Sequence, residues 1–182
     1  SKNAVFDELY WFMRKALEAE RMKLLRRLCV KYKLDLVQHC RDLIMTWEEL
    51  QTFVDEPLCT IGAHTMNHYE LTKLPEDEMR KEIEKSREVL AQRTGKPPTH
   101  FSYPLGGPLS ATRREFAVVK QLGFASGVTT RPGGLYVENS DYAEALPRIS
   151  LNGHYQKKRF LPVFLTGAIF TAHSGMKKVN LD

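Results

Sequence analysis

The sequence predicts an α/β fold. Three observations carry the prediction. Strand, loop and helix patterns recur at least three times between residues 58 and 151. The length of 182 residues suits one domain with a sizeable core. The composition, 42% hydrophobic and 27% charged, excludes whole-chain disorder and coiled coil.

The chain upstream of the first strand reads as helical. Residues 4–17 place Val5, Phe6, Leu9, Trp11, Phe12, Met13 and Leu17 close to helical period. Residues 20–33 repeat the pattern with Met22, Leu24, Leu25, Leu28, Cys29 and Tyr32. The aromatics of the first helix read as packing residues rather than a ligand platform. Residues 34–43 predict a third short helix. Thr46 and Glu49 form a capping-box pattern, which opens a helix to about Val54. Asp55-Glu56-Pro57 stops it.

Leu58-Cys59-Thr60-Ile61 then predicts a buried strand. It leads into Gly62-Ala63-His64-Thr65-Met66-Asn67-His68, where two imidazoles stand four residues apart at a strand end. Neutral imidazole is the commonest protein ligand for a divalent metal, and α/β folds place their chemistry at strand ends. The pair therefore reads either as two metal ligands or as a structural pair of hydrogen-bonded histidines.

Pro75 and the acidic run Glu76-Asp77-Glu78 open the next helix, which runs through Ile83, Val89 and Leu90 to about Thr94, with Gly95 as its stop. Thr99–Tyr103 is the next strand, closed by Pro104. The Gly106-Gly107-Pro108 loop suits close approach of a sugar and equally suits a plain turn. Residues 112–122 predict a helix with Phe116, Val118, Val119 and Leu122 inward. A strand at Phe124–Val128 follows, then a loop at 129–134, a last strand at 146–151 and a closing segment at 155–170.

The formal charge of +5 raises nucleic-acid binding as a class. The basic residues are spread out, no aromatic-interleaved basic motif occurs, and no nucleic-acid partner is expected. No apolar stretch approaches transmembrane length: the longest, 160–170, holds Pro162 and Gly167. Cys29, Cys40 and Cys59 are odd in number and lack CxxC spacing. They read as free, mostly buried thiols, which points to a cytoplasmic setting, with the cell envelope or periplasm as the alternative.

His64-Thr65-Met66-Asn67-His68 resembles the H-[ST]-x-x-H motif of the polysaccharide deacetylases, the NodB-homology family (carbohydrate esterase family 4). Phe101-Ser102-Tyr103-Pro104-Leu105-Gly106 resembles the third motif in its FxYPxG form, and Leu146-Pro147-Arg148-Ile149 the terminal LPRI segment of a proteobacterial branch. Leu122–Thr130 resembles the late strand with its Gly-Phe pair. These matches run in family order across residues 45–153. The resemblance implies a deformed (β/α) barrel, incomplete at the N-terminus, with a helical segment at 1–44 packing on a barrel portion at 45–182.

It also implies a metal-dependent hydrolase that removes N-acetyl groups from an N-acetylated polysaccharide or oligosaccharide, with a zinc-like divalent ion on His64 and His68. Tyr103, Pro104 and Gly106 would line the substrate, and Arg148 and His154 are the candidates near the reacting centre. Three departures accompany the resemblance. The Asp-Asp pair that gives the family its base and third ligand is absent. Ser102 stands where the third motif carries Arg, and Arg148 where the fifth carries His. The alternative implied is a catalytically inactive remnant or carbohydrate-binding module of the same fold. Open sheet edges would also favour self-association.

Overall fold

A computed structural model of the protein describes residues 1–151, 153, 155–175 and 177–181. The chain forms two compact units, Ser1–Thr52 and Phe53–Asp182.

The first unit holds α1 (Lys2–Lys15), α2 (Glu18–Tyr32) and α3 (Leu36–Leu43), and α4 (Trp47–Val54) spans the division. Local sequence explains where these helices begin. Asp35 accepts from the Gln38 amide at 3.0 Å. Thr46 and Glu49 cap each other reciprocally, at 2.7 and 3.1 Å. Burial does not follow from the same patterns. No residue of α1, α2, α3 or α4 is buried. Phe6 and Trp11, expected to pack, are 66% and 54% exposed. Helical periodicity marks a face but does not supply the layer that covers it.

The second unit is built on a parallel sheet, with β1 (His100–Ser102), β2 (Ser126–Pro132) and β3 (Leu146–Arg148) in chain order. One further parallel bridge, Ala63 to Phe101, brings the chain before His64 alongside β1. Two helices make the crossovers that parallel neighbours require: α5 (Glu76–Thr94) and α6 (Arg113–Gln121). Pro75 precedes α5, three acidic residues fill its first turn, and Gly95 closes it at φ 73°. Thr112 and Glu115 form the capping box of α6. The core lies between sheet and helices, with Leu71, Met79, Ile83, Phe101, Phe116 and Val119 fully or nearly fully buried. An irregular 3-10 segment, Val137–Ala145, precedes β3, and α7 (Phe160–Leu165) and α8 (Ala168–His173) follow it. No described helix is long and apolar enough to cross a membrane. The architecture is an α/β partial barrel.

Four further expectations are corrected. Residues 58–61 are not a strand: Cys59 turns back onto the Glu56 carbonyl, and Leu58 is 96% exposed. A strand needs a ladder partner, and only Ala63 has one, bonding to His100 and Ser102 at 2.9 Å each. Residues 129–132, read as a loop, continue β2, because a central strand flanked on both sides overrides weak local propensity. The last strand ends at Arg148 rather than Leu151. The three thiols are free, but Cys40 is exposed and Cys29 and Cys59 are only half-buried.

Candidate functional site

Three chain segments meet at the C-terminal ends of the parallel strands. His64 follows the bridge residue Ala63, Ser102 ends β1 and Arg148 ends β3. His64 Nδ1 lies 2.6 Å from the Ser102 carbonyl oxygen. A carbonyl only accepts, so Nδ1 carries the proton and Nε2 keeps its lone pair, as in metal-ligating histidines. The His68 ring sits 4.8 Å from that of His64, inclined by 70°.

The turn between them is unusual. Thr65 and His68 both hold positive φ, 63° and 55°. For a β-branched threonine this region is strained. Thr65 Oγ1 accepts from the His68 amide at 3.1 Å and closes the turn from inside. From outside, Glu82 on α5 accepts from the Met66 amide at 3.2 Å, the Asn67 amide at 2.9 Å and Asn67 Nδ2 at 2.5 Å.

Across the sheet end, the Arg148 guanidinium reaches past β2 and donates to Ser102 Oγ at 3.2 Å. Desolvation at the strand ends pushes the His64 pKa below its ordinary value. The nearby His68 and Arg148 charges push the same way, and the hydrogen bond to the Ser102 carbonyl opposes them. The result favours neutral imidazole, the ligand form.

His64 suits a divalent ion in its tautomer and charge state, and His68 stands close enough to share one. The donor set stops at two: no group of three His, Cys, Asp or Glu side chains able to hold a metal occurs among the described residues.

The other residues singled out from the sequence are placed as follows. Tyr103, Pro104 and Gly106 are buried. The Tyr103 hydroxyl donates to the Glu144 carbonyl at 2.7 Å, and burial, ahead of the charges of Glu144 and Glu115, pushes its pKa far above the phenol range. Gly106 sits at φ 57°, and a Cβ there would stand 2.7 Å from the Thr130 amide nitrogen, so close approach to β2 demands glycine. Tyr103 packs in the core against Phe101 and Phe116, and Gly106 packs against Thr130. His154 lies outside the described residues. His100 Nδ1 pairs with Ser126 Oγ at 2.8 Å, away from the imidazole pair. Glu82 was not anticipated. It is one of several carboxylates on α5, and its place on the stripe with Met79 and Ile83, both fully buried, emerges only in the fold.

A partial parallel α/β barrel with an imidazole pair at its strand ends is the class that fold and site define. The sequence profile of the polysaccharide deacetylase family matches residues 6–127, and the chain belongs to that family. The match extends upstream of the motif-bearing region, into the helical unit.

Similar solved structures include the Streptococcus pyogenes deacetylase PplD in complex with acetate (TM-score 0.51, 22% identity, covering 58% of this chain and 44% of that one). The polysaccharide deacetylase BC0361 from Bacillus cereus gives TM-score 0.50 and 24% identity over 58% of this chain and 32% of that one. The BpsB deacetylase domain from Bordetella bronchiseptica gives 0.50 and 18% over 59% and 49%. At these identities the likeness shows the fold. The chain spans less than half the length of each of these three structures. No curated protein matches the sequence.

Proposed function

We propose that the protein is a metal-dependent hydrolase that removes N-acetyl groups from an N-acetylated polysaccharide or oligosaccharide. One observation carries the reading: His64 and His68 stand together at the sheet's C-terminal end, with His64 locked in the tautomer that frees Nε2. Family membership supports the same chemistry.

In this reading His64 and His68 hold a divalent ion, zinc by preference for imidazole. When bound there, the ion supplies Lewis-acid polarisation of the amide carbonyl and acidification of water. The Ser102 carbonyl holds the His64 ring, and the Thr65 hydroxyl holds the turn that carries His68. Arg148 presents a fixed positive charge to an acetyl oxygen or carboxylate at the strand ends. It cannot donate a proton near neutral pH, so it serves electrostatically. Tyr103, Pro104 and Gly106 form the floor beneath the substrate. Nothing described is assigned as general base, and the sequence contains no adjacent Asp pair.

That gap favours a second reading, a carbohydrate-binding relative without turnover. Acetate release from an N-acetylated oligosaccharide, with and without added zinc, separates the two. Release that His64→Ala abolishes supports the hydrolase. Saturable oligosaccharide binding without release supports the second reading and sinks the first.

Self-association belongs to the same proposal. Among the described residues the chain at Ala63 is paired on one side only, by β1, and an unpaired edge recruits another strand. A single monomeric species in sedimentation velocity across a dilution series would remove it.

A further inference from the structure

We propose that Glu82 is a positioning residue for the imidazole pair: its carboxylate sets the turn between His64 and His68, and through it the spacing of the two rings. The inference rests on the reading of that pair as metal ligands.

The turn holds two residues in the left-handed region, Thr65 and His68, and for the β-branched Thr65 this region is strained. The Thr65 hydroxyl secures the inner side. On the outer side two successive amides, those of Met66 and Asn67, converge on Glu82 Oε2, while Asn67 Nδ2 meets Oε1. Successive backbone N–H groups that converge on one point favour an anion, and a carboxylate has enough lone pairs for all three donors.

Glu82 is itself well anchored. It projects from the middle of α5 and is half-buried, with Met79 and Ile83, both 0% exposed, on the same stripe. The carboxylate thus ties the turn to a helix that the core holds. Its removal leaves three donors without their acceptor and lets Thr65 relax toward negative φ. The rings then part. Residues that orient metal-ligating groups without touching the metal change affinity by about 10–100-fold when lost.

Substitution separates positioning from plain structural support. Glu82→Ala deletes both acceptor oxygens and with them all three hydrogen bonds. Glu82→Gln keeps Oε1 for the two amides, and a flip of the Asn67 amide places its own oxygen on the new NH₂ group. Glu82→Gln is therefore the rescue variant. Thr94→Ala is the control, since it removes a hydrogen bond to the Leu90 carbonyl at the far end of the same helix.

Two measurements on the full chain test the proposal: zinc affinity by calorimetry, and NMR of the Met66 and Asn67 amides together with ring-to-ring contacts between His64 and His68. In Glu82→Ala the zinc affinity falls by about tenfold or more, amide protection at Met66 and Asn67 is lost and the ring contacts weaken. Glu82→Gln restores all three, and Thr94→Ala leaves them unchanged. Parent-like affinity, protection and ring contacts in Glu82→Ala overturn the proposal. So does an equal loss in Thr94→Ala. If the parent binds no zinc, the metal reading fails by itself. The NMR comparison then decides the role of Glu82 in the turn on its own.

Discussion

Helices α1 and α5 carry opposite sequences and meet opposite fates. α1 is rich in Val, Phe, Leu, Tyr, Trp and Met, and buries no residue. α5 is dominated by Glu, Lys and Arg, and buries Met79, Ile83 and Ser86. Apolar content does not decide burial. α5 crosses between two chain segments that lie side by side in a parallel arrangement, so a narrow stripe is enough to meet the sheet. Most helical stability in proteins comes from such packing rather than from propensity.

The largest expected effect sharpens this contrast. Phe101 is 1% exposed and its ring packs 5.0 Å from Tyr103 and 5.5 Å from Phe124. Phe101→Ala should cost about 3–5 kcal/mol in a denaturant melt. Trp11→Ala in α1 should cost less than about 0.5 kcal/mol. Similar losses at the two sites would erase the distinction between the units.

Gly127→Ala comes next. A Cβ there meets the Glu144 carbonyl oxygen and stands 2.7 Å from the Tyr103 hydroxyl. Overpacking against backbone should cost about 1–3 kcal/mol. Tyr103→Phe removes only the bond to the Glu144 carbonyl and should cost about 1 kcal/mol, measured the same way. In the helical unit, Thr46→Ala removes one half of an exposed capping box and should cost about 0.5–1 kcal/mol. A Thr46→Ala loss that exceeded that of Gly127→Ala would reverse the ranking of the two units.

The smallest effect concerns pH. His64 has a folded pKa below its ordinary value of 6.5, because the folded site disfavours the imidazolium. The unfolded chain therefore takes up the proton first as pH falls. Stability from this group is fully present above about pH 6.5 and declines as the pH drops through the folded pKa. His64→Ala should flatten that decline in melts recorded between about pH 5 and pH 7.5. An unchanged slope in the variant would show that another group carries it.

The sequence made the helix boundaries legible wherever a cap or stop was written locally. Thr46 with Glu49, Pro75 with its acidic run, and Gly95 all act where their chemistry says. Strand extents were less legible, because they depend on partners distant in sequence. β2 runs on to Pro132 since Arg148 pairs there, while residues 58–61 lack such a partner.

At the site, the imidazole pair could be found from spacing and context. The Arg148 contact to Ser102 could not, since it links residues 46 apart across a sheet end. It also gives the two motif departures one meeting point: the serine that stands in the third motif receives the arginine that stands in the fifth. Glu82 was hidden among the many carboxylates of α5, and only the fold shows which one faces the turn.

The most direct test is calorimetric titration of the chain with zinc, beside His64→Ala and His68→Ala. The account predicts that the parent binds a single ion and that each substitution abolishes binding. No binding by the parent, or binding that survives both substitutions, would contradict the assignment of the pair as a metal site.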